Sequence, residues 1–397
     1  MRAAIIGMGD ISRMYLKNLI RVFRDVEVVG VCNRTRTRAE QAAAYVREQQ
    51  SLGCACPDPR IYGDMWEVFA DPQVEVVLNL TRPAEHYAIT KEALLHGKHV
   101  YSEKPFALTM EEADELIALA QERGLCRGRA PDTVLGAGIQ TCRRLIETDM
   151  IGEIVGASCA MICHGHENWH PSPAFLYQKG AGPMMDMGPY YITALVELLG
   201  EARAVSAMTK RSFAERVIGS TPHFGEKIRV EADTWLSGNI LFANGAIAQV
   251  LTTFDVHYDR YAQARFEIYG TKGTLVVPDP NTFGGPVLLY RPEDQKAEPA
   301  VDPALEKVRP ESAYSSYKEI PLLFDYRENS RGLGLADMCR AIETGRPFRT
   351  DARRQRHVLE IMTAFSKSGE SGQQIALQTR DYPVKAMKNG LLHGVLD

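Results

Sequence analysis

The sequence predicts an α/β chain in two parts. A doubly wound, parallel sheet comes first, followed by an α+β part built on a large, mostly antiparallel open sheet. Three observations carry this. Over the first third, short runs of Val, Ile and Leu alternate with helical patterns, as in a sheet covered on both faces by crossover helices. The stretch GMGDIS (7–12) joins the first strand to the first helix. Beyond Gly124 the alternation stops and β-type runs crowd together. A chain of 397 residues also exceeds the reach of one hydrophobic core, so two domains are expected, 1–128 and 129–397.

Taken in order, AAIIG (3–7) is the first strand and Ile11–Phe23 the first helix. VEVVGVC (26–32) precedes a helix over Thr37–Gln50, and VEVVLNL (74–80) precedes one over Ala84–His96. KHVYS (98–102) precedes a helix over Thr109–Arg123. The segment 51–60, with two prolines and a glycine, reads as a loop. A helix over Leu135–Thr148 opens the second part. Strand patterns then fall at 154–163, 203–209, 234–242, 246–254, 264–270 and 274–278, with Ala243-Asn244-Gly245 as a hairpin turn. Residues 279–320, rich in proline and charge, read as surface excursions. Helices near Gly332–Glu343 and Ala352–Lys367 close the chain.

A formal net charge of -4 leaves no basic footprint for nucleic acid or an anionic membrane. No apolar run reaches the length of a membrane span. The chain enters a strand pattern at once, without the n- and h-regions of a signal peptide. Its eight cysteines then read as reduced thiols and the location as cytoplasmic.

In GMGDIS, Gly7 permits a tight turn and Gly9 lets backbone approach a pyrophosphate at the helix start. Asp10, Ile11 and Ser12 complete the loop. The second strand ends in Asn33 and Arg34, where a ribose-binding carboxylate would stand in an NAD site. With Arg34 and Arg38 there instead, a 2′-phosphate would find donors, placing NADP(H) ahead of NAD(H). Asn33 could still bind a bare ribose diol. Two more strand ends, Thr81-Arg82-Pro83 with His86, and Glu103-Lys104-Pro105, fall on the ligand edge of such a sheet.

The order G-x-G-x-x-S, T-x-P-x-x-H, E-K-P, then D-x-G-x-Y in the second part resembles the Gfo/Idh/MocA family over roughly residues 3–378. The resemblance implies a Rossmann domain, a C-terminal sheet that pairs subunits as a homodimer or homotetramer, and hydride exchange between a nicotinamide cofactor and a sugar, polyol or related carbinol. It places Lys104 against substrate hydroxyl and nicotinamide ribose, and Asp186 at the family's aspartate. Tyr190 stands where many members carry a catalytic histidine.

Asp186 and Tyr190 are four apart, so one helix would put them on one face. Asp186 then orients substrate or caps the helix. Tyr190 moves the proton, its phenol brought down by the positive charge of Lys104. His164, His166 and His170 with Glu167 could suit zinc or iron. The cofactor carries the chemistry without metal, so a substrate loop is expected, with Trp169, His170 and Tyr177 against a sugar. Asp132 is a helix cap and a candidate substrate ligand. Two other readings remain: glycoside cleavage with retained NAD, and a dinucleotide sensor without turnover.

Overall fold

The computed structural model describes residues 1–105, 107–257, 265–294 and 316–397. The first part runs β1 (Arg2–Ile6), α1 (Asp10–Arg21), β2 (Glu27–Cys32), α2 (Arg36–Ser51), β3 (Arg60–Tyr62) and α3 (Met65–Ala70). It continues with β4 (Val76–Asn79), α4 (Pro83–Leu95), β5 (His99–Ser102), α5 (Met110–Glu122) and β6 (Arg127–Arg129). All six strands are parallel, in the order β3-β2-β1-β4-β5-β6. The order reverses between β1 and β4, the switch point where such sheets bind ligands. Ala3, Ile5, Val76 and Leu78 are fully buried at its centre.

The loop over 51–60 is shorter than the sequence suggests. Helix α2 runs to Ser51 and β3 begins at Arg60. β3 and α3 are too short for periodicity to reveal. Asp64 nevertheless caps α3, its carboxylate accepting from Trp66 N and Glu67 N.

The second part begins with α6 (Ala137–Glu147), β7 (Ile154–Ile162), α7 (Pro183–Asp186) and α8 (Gly188–Leu199). Then come β8 (Ala202–Lys210), β9 (Glu215–Val217), β10 (Lys227–Arg229), β11 (Trp235–Phe242), β12 (Ile247–Thr253), β13 (Arg265–Gly270) and β14 (Thr274–Val276). β15 (Val287–Tyr290), β16 (Lys318–Ile320), α9 (Leu333–Thr344), α10 (Ala352–Ser371) and β17 (Ile375–Ala376) complete it. Nine strands form one sheet, in the order β16-β15-β14-β13-β7-β12-β11-β8-β17. Only β7 and β12 pair in parallel.

The span 279–320 is thus not all excursion. It contributes β15, where Val287 and Leu289 are buried and their neighbours are not, and β16 at the sheet edge. The part of that expectation over 295–315, and residue 264 of an expected strand, lie outside the described residues. One face of the sheet packs on α8 and α10, burying Val205, Ile240, Val250 and Ile268. Cross-strand register puts Met208, Leu241, Ile247 and Tyr269 on the other face. All four are exposed, Met208 at 83%.

Candidate active site

The loop after β1 is shaped by backbone demands. Gly7 has φ +99°, and a Cβ there would meet the Leu80 carbonyl carbon at 2.7 Å, so the turn can run close to β4 only as glycine. A Cβ on Gly9 would meet nothing within 4 Å. Gly9 precedes α1, which has no side-chain cap; the Ser12 N–H turns back to Gly9 O at 3.1 Å, which leaves the N–H groups of Asp10 and Ile11 for an anion. Ser12 is buried and its Oγ donates to Gly9 O at 2.5 Å. Asp10 is exposed and Ile11 half-buried beside it.

Asn33 does not stand free at a ribose. Its Oδ1 accepts from Met8 N at 2.9 Å and its amide donates to Thr35 O at 3.0 Å, so it braces the glycine loop against β2. Arg34 is 79% exposed and pairs with Glu85 at 3.0 Å. Arg38 is exposed nearby.

After β4, Thr81 bonds Asn79 Oδ1 through its Oγ1 at 2.7 Å. Arg82 precedes α4 and Pro83 occupies its first turn. His86 does not face a cofactor. It is 2% exposed, and its ring nitrogens reach Thr81 O at 3.0 Å and Pro105 O at 3.3 Å. Burial, with Arg129 nearby, pushes it down to about 4, so the ring is neutral, and its single N–H can serve only one of these two carbonyls. Glu103 is likewise held, accepting from Tyr15 Oη at 2.8 Å and Lys104 N at 2.9 Å.

Lys104 leaves that edge and crosses to the second part. Its Nζ donates to Asp186 Oδ1 at 2.7 Å and to Asp186 O at 2.8 Å. The other carboxylate oxygen, Oδ2, lies 2.9 Å from His166 Nε2. Burial disfavours each charge, but the three sustain one another. Asp186 is held well below the usual carboxylate range by Lys104 and His166. Lys104 is raised by Asp186 and Tyr190. His166, despite burial, is pushed up to about 9 by Asp186. Lys104 is thus a firm ammonium, a hydrogen-bond donor and not a base.

Tyr190 lies beside this group, its ring centroid 5.5 Å from Lys104 Nζ. Asp186 and Tyr190 do not share one regular helix. Asp186 ends α7 and Tyr190 lies in α8. Pro189 has no N–H to continue the ladder and restricts Gly188 before it. The expected lowering of the Tyr190 phenol is also overturned: burial outweighs Lys104 and leaves it raised. At neutral pH it is a protonated phenol.

These side chains face a cleft of about 880 Å³. Trp169, His170 and Phe175 also line it, and burial together with charged His166 pulls His170 down. Two expected ligands are absent from its walls. Tyr177 is fully buried with its hydroxyl on Glu167. Asp132 is 1% exposed and does not cap the helix that follows it. Its Oδ2 accepts from Gly332 N at 2.9 Å and Gly334 N at 3.1 Å, serving the start of α9, and burial pushes it up to about 6. The histidine trio diverges as well. His164 stacks on His257 at 3.5 Å, His166 reaches Asp186, and His170 Nδ1 accepts from Ser172 N. Among the described residues no three potential ligands gather for a metal ion.

Sequence reasoning missed several wall residues, two of which bear on the chemistry. His166 sat inside the histidine pattern but was not assigned to Asp186. Arg331, which faces the Tyr190 hydroxyl, had no motif around it.

A glycine loop thus lies at the switch point of a parallel sheet, and a Lys–Asp pair sits where that sheet meets a second one. The chain belongs to the Gfo/Idh/MocA family. Residues 1–128 match its "Oxidoreductase family, NAD-binding Rossmann fold" and residues 139–276 its C-terminal domain. Relatives include 1,5-anhydro-D-fructose reductase of Ensifer adhaerens, 27% identical over 76% of this chain and 84% of that protein. D-xylose dehydrogenase of Paenarthrobacter nicotinovorans is 27% identical over 54% of this chain. The match spans 56% of that relative's length. Levoglucosan dehydrogenase, solved with NADH and levoglucosan, shares the fold: TM-score 0.72, 20% identity, 95% of this chain and 99% of that one.

Proposed function

We propose that this protein moves two electrons between NADP(H) or NAD(H) and a secondary alcohol of a sugar, polyol or glycoside. The observation that carries this reading is the Lys104–Asp186–His166 chain opening onto the cleft beside Tyr190. The glycine cradle and the uncapped start of α1 fit a dinucleotide pyrophosphate. A bound nicotinamide supplies the hydride donor or acceptor.

The chain's own residues supply the rest. Lys104 donates a hydrogen bond to the reacting oxygen and stabilises negative charge there. Asp186 fixes Lys104 in place and stays ionised. Protonated His166 is the proton reserve behind Asp186, and the neutral Tyr190 phenol is a second donor. Arg34 and Arg38, exposed with no carboxylate at residue 33, favour NADP(H), since the surface pair of Arg34 with Glu85 is weak enough for a 2′-phosphate to replace. Residues 1–128 serve the cofactor, and 129–397 serve substrate and subunit contacts as a homodimer or homotetramer. Eight free thiols suit a reducing cytoplasm.

The test is fluorescence titration with NADPH and NADH, then a carbohydrate screen followed by reduced-nicotinamide absorbance. Lys104→Met should lower kcat/KM by roughly 100-fold or more, and Tyr190→Phe by less. Full turnover in both variants, or no turnover across the screen, rejects the assignment.

A further inference from the structure

We propose that Arg331 anchors an anionic group of the substrate, so that the carbohydrate this cleft takes carries a carboxylate or a phosphate. The inference rests on the carbohydrate reading above and narrows it.

Arg331 is half-buried in the cleft wall with Lys104, Asp186 and Tyr190. Its hydrogen-bond partners are neutral: Asn329 Oδ1 at 3.0 Å and Asn281 Oδ1 at 3.4 Å, with the Tyr190 hydroxyl facing it. Among the described residues no carboxylate pairs with it. Three other sheltered arginines do differently. Arg216 holds Glu167 and Asp255, Arg349 holds Asp337 and Asp397, and Arg354 holds Glu197 and Asp381. Asp132 acts on Arg331 by its charge but without an ion pair; a sheltered guanidinium with no paired carboxylate is costly, and its planar fork matches a carboxylate or phosphate through two parallel bonds.

Neighbouring carboxylates are already engaged. Asp132 accepts from the N–H groups of Gly332 and Gly334. Asp279 accepts from Asn281 N at 3.0 Å and from Tyr191 Oη at 3.3 Å. Lys104, His166 and Arg331 share the cleft wall with Asp186 and Asp279, three cations against two carboxylates when His166 is protonated. The cofactor's pyrophosphate is not the missing anion, because the Gly7–Ser12 loop is not among the walls of this cleft. The backbone that carries this side chain is fixed from behind, since Asn18 Nδ2 donates to Arg331 O at 2.8 Å and Asn329 O at 2.9 Å. One phenol separates it from Lys104, so the anion would sit a few carbons from the reacting carbinol.

The test uses cofactor-loaded protein, wild type, Arg331→Gln and Arg331→Lys, with glucose, glucuronate and a glucose phosphate. Affinity is read by calorimetry and kcat/KM by nicotinamide absorbance. Wild type should bind one anionic arm more tightly than glucose. Arg331→Gln should lose roughly 10- to 100-fold on that arm, chiefly in Kd and KM, and lose distinctly less on glucose. Arg331→Lys should recover part of the loss. The arm that shows this split distinguishes carboxylate from phosphate. Equal or better wild-type binding of glucose, or equal loss on all three, overturns the inference and leaves the oxidoreductase reading intact. Arg331-dependent anion binding with no turnover, here or across the carbohydrate screen, supports the anchor and rejects the oxidoreductase reading.

Discussion

Asp186 sits between two cations, and that decides how protons are held. With Lys104 an ammonium, His166 pushed up to about 9 and Tyr190 a neutral phenol, the resting site at neutral pH is rich in donors and has no neutral base among these three. On the proposed function it is set for carbonyl reduction, while oxidation waits for His166 to lose its proton. Profiles of kcat/KM should show oxidation rising toward pH 9 and reduction falling over the same interval, and His166→Gln should flatten both. A bell centred near pH 6 in both directions would contradict this. Stability follows the same group. Unfolded, His166 titrates near 6.5, so its contribution is complete below that pH and is lost as pH rises through 9. Denaturation of wild type against His166→Gln should reveal a difference on the order of 3 kcal/mol at pH 6 that shrinks toward pH 9. Lys104, Asp186 and Tyr190 were legible because each lies in a short pattern. The His166–Asp186 bond and Arg331 were not, because both depend on which loops the fold brings together.

At the scale of elements, the ends of helices separate structural carboxylates from chemical ones. Asp132 stands close to the glycine loop's sheet in sequence, yet its carboxylate closes the start of α9. Asp132→Ala strips two buried N–H groups of their acceptor and should cost about 1–3 kcal/mol, visible as a lowered Tm. Cofactor Kd and substrate KM should hardly move. A raised KM at unchanged Tm would return Asp132 to the substrate. The long strands and helices were readable from apolar runs; the cap at Thr109, which accepts from Glu112 N, came from the structure. β3, β9, β10 and β16, each three residues, offer no period, so only pairing in space defines them. α7 and α8 part at Gly188-Pro189, a break that the proline signals in sequence and that the i, i+4 reading of Asp186 and Tyr190 passed over.

At the scale of the molecule, the nine-stranded sheet keeps one face against helices and turns Met208, Leu241, Ile247 and Tyr269 outward. An open apolar face on a sheet this wide suits a second copy of the chain. Met208→Glu should shift the mass measured by light scattering from oligomer toward monomer, with cofactor affinity retained. An unchanged mass would move the subunit contact elsewhere. The two-sheet plan was legible because parallel and antiparallel sheets demand different runs of apolar residues, whereas strand order is a property of space alone.

The tether from Asn18 to the Arg331 backbone has a mechanical consequence. Arg331 is encoded late in the chain but is fastened to α1, so it belongs to the dinucleotide side of the cleft, as Lys104 does. Asp186 and Tyr190 belong to the other bank. The mouth is therefore bridged twice, once by Lys104 on Asp186 and once by Arg331 facing Tyr190. Any hinge that widened it would part both bridges together, and a guest seated between them would set the gap.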